Sequence, residues 1–121
     1  MTVIIRQRSA TSLAEVSGQL QDAFTESRTA IGAAESVVLI ANAPDLLGQG
    51  SIQDAAVACG LLGLMRAMVF EGGAKGWHVN LVAVDRDTEP PADLLLAASD
   101  IVHLNGQVLN ASAGQVGKLI P

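Results

Sequence analysis

Few side chains in this sequence are of types that carry chemistry, and their spacing keeps them apart. His78 and His103 have no acidic or thiol neighbour at ligand spacing, so each reads as a surface or strand-edge polar residue, not a metal ligand or general base. The single cysteine, Cys59, stands in an apolar stretch without a base or cation beside it, which makes it a small buried hydrophobe instead of a nucleophile. Asp54 follows Ser51 by three residues, the spacing of a helix cap. Asp85, Asp87 and Glu89 are acidic enough to gather a cation, but a solvated loop is the simpler reading. Gly48 and Gly50 are spaced GxG, a fragment of a phosphate-binding turn placed before the wrong helix. The chain has no tyrosine, so no phenol can serve as an acid. No nucleophile and base pair up, and the expectation is no catalytic, cofactor-binding or metal-ligating residue and no cofactor.

The elements that would have to position these groups fit one domain. The 121 residues are 50% hydrophobic, with 12 glycines and little aromatic content. That is the aliphatic, small-residue interior of an α/β sheet covered by helices on both faces. The net charge of -5 and the lack of a Lys/Arg run speak against nucleic acid or an anionic membrane as a partner. One cysteine permits no internal disulfide and suits a reducing compartment, and the N-terminus does not read as a signal peptide, so a cytoplasmic location is expected.

Residues 2–5 (TVII) read as a strand. Ser12 with Glu15 forms a capping box, and Leu13, Val16, Leu20, Phe24 and Ile31 then recur at helical spacing to about residue 33. The run 36–41 (SVVLIA) is a strand buried on both faces, and 42–50 its exit loop. Ser51 caps a long apolar helix that stops at Gly72-Gly73. Residues 78–84 (HVNLVAV) form a third strand, 85–91 a charged loop, 93–98 a short helix and 107–110 a fourth strand, followed by a small, polar tail. The order β-α-β-α-β-α-β predicts a partial Rossmann-like parallel sheet of about four strands, within a single domain over 1–121.

The long helix is apolar all round. Ile52, Ala56, Cys59, Gly63 and Phe70 point one way, Val57, Leu61, Leu64 and Met68 another, and Leu62 and Met65 a third. One small sheet cannot cover all three directions. A partner surface is therefore expected on this helix, with Val57, Leu61, Leu64, Met65 and Met68 as its residues, and Gly60 and Gly63 allowing close helix approach.

Three stretches resemble the C-terminal half of the short-chain dehydrogenase/reductases, near the ketoreductase branch: VVLIA at 37–41, GLLGLMRAMVFEGGAKGWHVNLVAVD at 60–85 and LAASDIVHLNGQVLNASAG at 96–114. The resemblance implies a serine after the strand 37–41, and a tyrosine and lysine four residues apart opening the next helix. Here those positions hold Ala41 or Asn42, Asp54 and Ala58. The family's TGxxxGxG nucleotide turn is also missing, and Asn80 matches its structural asparagine. In the family the helix equivalent to 52–71 packs against its twin across a two-fold axis. The resemblance thus implies a truncated, catalytically inactive relative that pairs with itself or with a full-length reductase. A small-molecule binding module at the strand ends near 42–50 and 85–91 is the alternative.

Overall fold

The computed structural model describes residues 1–115; the last part of the expected polar tail lies outside them. Strands β1 (Thr2–Arg6), β2 (Ser36–Asn42), β3 (Val79–Val84) and β4 (Val108–Asn110) form one sheet in the order β1-β2-β3-β4. Every pairing is parallel, with Ile4 beside Val38, Leu39 beside Leu81 and Leu81 beside Val108. Helices α1 (Leu13–Gly32), α2 (Ala43–Leu46), α3 (Ile52–Gly72) and α4 (Ala92–Asp100) connect the strands. The fold class read from the sequence is the one observed.

Side-chain alternation splits the core into two layers. Val37, Leu39 and Ala41 of β2 and Val79, Leu81 and Ala83 of β3 face α1 and α3. Val38, Ile40, Val82 and Val84 face α4 through Ala98, Leu94 and Leu95. A strand buried on both faces reads as a mainly apolar run, which is why β2 and β3 carried no polar alternation in the sequence, Asn80 being the buried polar exception in β3.

The element missed in sequence is α2, inside the expected exit loop. Pro44 supplies its first turn, where a missing N–H costs nothing. The Gly72-Gly73 pair also has a more specific reason than a helix stop. A Cβ at Gly72 would collide with the Trp77 ring, which lies against the end of α3. The helix passes through a 3-10 turn at Gly73–Lys75, and the chain reverses at Gly76 with φ of 86°.

Both long helices are rotated relative to expectation. On α1 the buried residues are Val16, Gln19, Ala23, Ser27 and Ala30, whereas Leu13 and Phe24 point to solvent at 81% and 55% exposure. Small side chains let α1 lie close to the sheet, and the large ones turn outward. On α3, Val57, Leu61, Met65 and Met68 are buried within the single chain, and Leu64 is half-buried against the same core. Val57, Leu61, Met65 and Met68 are thus taken up by the sheet and α1, and Leu64 only in part.

Candidate functional site

The exposed stripe of α3 is the first of the three directions. Ile52 and Phe70 are 86% and 94% exposed, and Ala56, Cys59, Gly63 and Ala67 between them are exposed as well. Cys59 therefore lies on the surface, correcting its expected burial; hydropathy alone could not phase a helix that is apolar on every side. Helix α1 runs beside this stripe. A Cβ at Gly60 would stand 2.6 Å from Leu20 Cδ2, so the absent side chain is what brings α1 and α3 together. Gly63 has no atom within 4 Å of where its Cβ would be, so it leaves a gap that faces outward. Next to the stripe, Ser17, Leu20, Gln21, Phe24 and Thr25 of α1 line a shallow groove of about 440 Å³. The two helices together present large apolar side chains, Leu13, Phe24, Ile52 and Phe70, around a centre of small ones.

The carboxyl ends of the strands carry a different chemistry. Asp45 on α2 is fully buried and accepts from three directions. Arg86 Nη2, from the loop after β3, pairs with its Oδ1, while Gln7 Nε2 and Asn42 Nδ2 donate to Oδ2 at 3.0 and 3.1 Å. Gln7, just beyond β1, also accepts from Asn42 N at 2.8 Å and donates to the Asp54 carbonyl at 3.2 Å. One carboxylate thus ties together the chain leaving β1, β2 and β3. A Cβ at Gly50 would run into both Asp45 and Arg86, so the second glycine of the GxG pair is there to let backbone cover this ion pair. Gly48 takes φ of 72°. The Asp45 and Arg86 partners, far apart in the chain, had no spacing signal; only polar residues at the ends of two apolar strands hinted at them.

Of the positions that the family resemblance singles out, Asn42 and Asp54 meet this network. Asn42 is held by Asp45 and Gln7. Asp54 donates its N–H to Ser51 Oγ at 3.1 Å, completing the expected cap, and its Oδ1 accepts from Ala10 N at 2.9 Å. Ala41 and Ala58 are both fully buried in the α1/α3 layer.

The remaining candidates are dispersed. His78 stands at the opposite end of the sheet, with Nδ1 3.1 Å from Ser36 Oγ and Nε2 2.9 Å from the Ile101 carbonyl. His103 is exposed in the loop after α4. Asn80 is fully buried; its amide donates to the Ala98 and Leu104 carbonyls and its Oδ1 accepts from Gln107 N, tying α4 and the β4 lead-in to β3. The acidic trio diverges: Asp85 receives Ser112 Oγ and Ala113 N, Glu89 pairs with Arg6 at 3.2 Å, and Asp87 sits exposed at φ of 55°. Among the described residues no group of three or more His, Cys, Asp or Glu converges as a metal site.

No protein-family model and no curated protein matches the chain. Among solved structures it is similar to the citronellol catabolism dehydrogenase AtuB of Pseudomonas aeruginosa PAO1, with a TM-score of 0.70 at 16% identity. The match covers 92% of this chain and 60% of the dehydrogenase, so this chain spans well under two thirds of that enzyme's length. The likeness is one of fold, a Rossmann-like parallel sheet flanked by helices.

Proposed function

We propose that this chain is a non-catalytic assembly subunit, equivalent to the C-terminal half of a short-chain reductase, which pairs with a second copy of itself through the outer faces of α3 and α1. The observation that carries the reading is the exposed stripe Ile52, Ala56, Cys59, Gly63, Ala67 and Phe70. Large apolar residues stand at both ends and small ones between, with the exposed Arg66 alongside. An antiparallel copy would set Ile52 beside Phe70 of the second copy, with Cys59 and Gly63 near the crossing, where the lack of bulk lets backbones approach. A self-complementary face of this kind suits a two-fold axis. Left in water, such a stripe is an association hazard.

The non-catalytic part of the reading rests on residue chemistry. With no tyrosine in the chain, Asp54 occupies the acid's position. Its short carboxylate is engaged at a helix start, and Ala58 replaces the cation that would tune an acid there.

Cys59, the only cysteine, makes the test direct. Its rate of maleimide labelling is expected to be slow at concentrations where the chain associates and to rise on dilution. Equal labelling rates across the dilution series would reject the proposed face.

A further inference from the structure

We propose that the polar cleft at the carboxyl ends of β1, β2 and β3 binds a small oxyanion between the guanidinium groups of Arg8 and Arg86. This surface is separate from the α1/α3 outer face, so the inference goes beyond the assembly reading and stands or falls independently.

The cleft, about 320 Å³, is lined by Arg6, Gln7, Arg8, Ser9, Asn42, Asp54, Arg86 and Asp87. It lies where parallel α/β sheets present ligands, outside the ends of adjacent strands. In a chain of net charge -5, three of the seven basic residues converge on this one opening. A concave surface lined by guanidinium groups concentrates field that the same charges scattered over a convex surface would lose to solvent.

The three arginines are not equivalent. Arg6 is committed, donating to Glu89 Oε1 at 3.2 Å and to the Thr88 carbonyl at 2.7 Å. Arg86 is anchored through Nη2 to the buried Asp45, which Gln7 and Asn42 hold from the other side. A guanidinium has five N–H donors, so this anchor fixes the plane and leaves the remaining edge for a ligand. Besides joining the three strand ends, the arrangement orients Arg86. Arg8 pairs with Asp22 at 3.7 Å, with both side chains about two-thirds exposed, a pairing weak enough for a ligand to displace. Of the two carboxylates on the lining, Asp54 accepts from Ala10 N through Oδ1, and Asp87 stands exposed in the loop after β3. Arg86, anchored to a buried carboxylate, and Arg8, largely exposed, each carry the forked N–H donors that recognise a carboxylate or phosphate group.

The test is a titration of the intact chain with inorganic phosphate and, separately, acetate, each against sodium chloride at matched ionic strength, followed by amide NMR shifts and melting temperature. A saturable response to phosphate or acetate that chloride does not reproduce, centred on residues 6–9 and 85–87, is expected, and the responding anion names the ligand's charged group. Arg8→Gln is expected to weaken it at least tenfold, Arg8→Lys less, and Arg28→Gln, at the far end of α1, not at all. Arg86→Gln strips Asp45 of its partner and risks unfolding, so Arg8 carries the decision. No saturable response to either anion, or one that Arg8→Gln leaves unchanged, would overturn the proposal.

Discussion

The two sides of α3 are chemically alike and structurally opposite. Val57, Leu61, Met65 and Met68 disappear beneath α1 and the sheet, whereas Ile52, Ala56, Cys59, Gly63 and Phe70 meet solvent. Hydropathy does not separate them; bulk does. The inner side carries medium-sized branched and flexible side chains that fill the layer over β2 and β3, while the outer side carries Ala56, Cys59, Gly63 and Ala67 between Ile52 and Phe70, with the exposed Arg66 beside them. An inner side chain contributes to the fold of one chain. An outer one contributes only if something covers it, which is what the proposed pairing would supply.

The largest expected effect is on the inner side. Leu61→Asp would bury a carboxylate with no partner, at a cost on the order of 5 kcal/mol, comparable with a small domain's whole stability margin. Circular dichroism and urea titration should show an unfolded chain; a folded Leu61→Asp protein would break the distinction between the two sides.

Next comes Asp45→Ala, which tests how much the strand-end network matters beside the core. It leaves Gln7, Asn42 and the buried side of Arg86 without their acceptor and is expected to cost about 3 kcal/mol, read as a lower urea midpoint at unchanged slope.

The glycine pair sharpens the comparison most finely. Gly60→Ala drives a methyl into Leu20 and is expected to destabilise the folded chain by about 1–2 kcal/mol, moderated because Leu20 can shift its rotamer. Gly63→Ala meets no atom and removes a helix-interior glycine, so the isolated chain should gain about 1 kcal/mol. If a second α3 crosses near Gly63, the same methyl weakens association while it strengthens the monomer. Opposite signs in melting and in dimer affinity from one substitution are what the account predicts.

The smallest effect belongs to α1. Ser27 Oγ is buried without a hydrogen-bond partner, so Ser27→Ala should be neutral or stabilising by up to about 1 kcal/mol in thermal melts.

The sequence made the strands and both long helix starts legible, because their signals are local. Apolar runs mark β2 and β3, and Ser12 and Ser51 each accept from the N–H three residues on. The rotation of the helices was not legible. On α1 the sheet takes Ala23, Ser27 and Ala30 because they are small, so a rule that sends Leu13 and Phe24 inward reads the wrong side. On α3 every direction is apolar, and only Gly60 against Leu20, a contact between two helices, fixes the phase. The Asp45, Arg86, Gln7 and Asn42 network joins three strand ends that are neighbours only after the sheet forms, and no spacing along the chain announces it. Asn80 was readable because the VN pair drew attention to it, although its three partners were not.

The central claim, that the outer face of α3 joins two copies of the chain, is tested most directly by sedimentation equilibrium of the parent and of Phe70→Asp at micromolar concentration. Phe70 is 94% exposed in the single chain, so the substitution should leave the monomer's stability within about 0.5 kcal/mol, while a charge at the interface must be desolvated for the dimer to form. The account predicts twice the chain mass for the parent and the single-chain mass for a folded Phe70→Asp. A parent that is folded and strictly monomeric, or a Phe70→Asp variant that keeps the parent's dimer affinity, would contradict it.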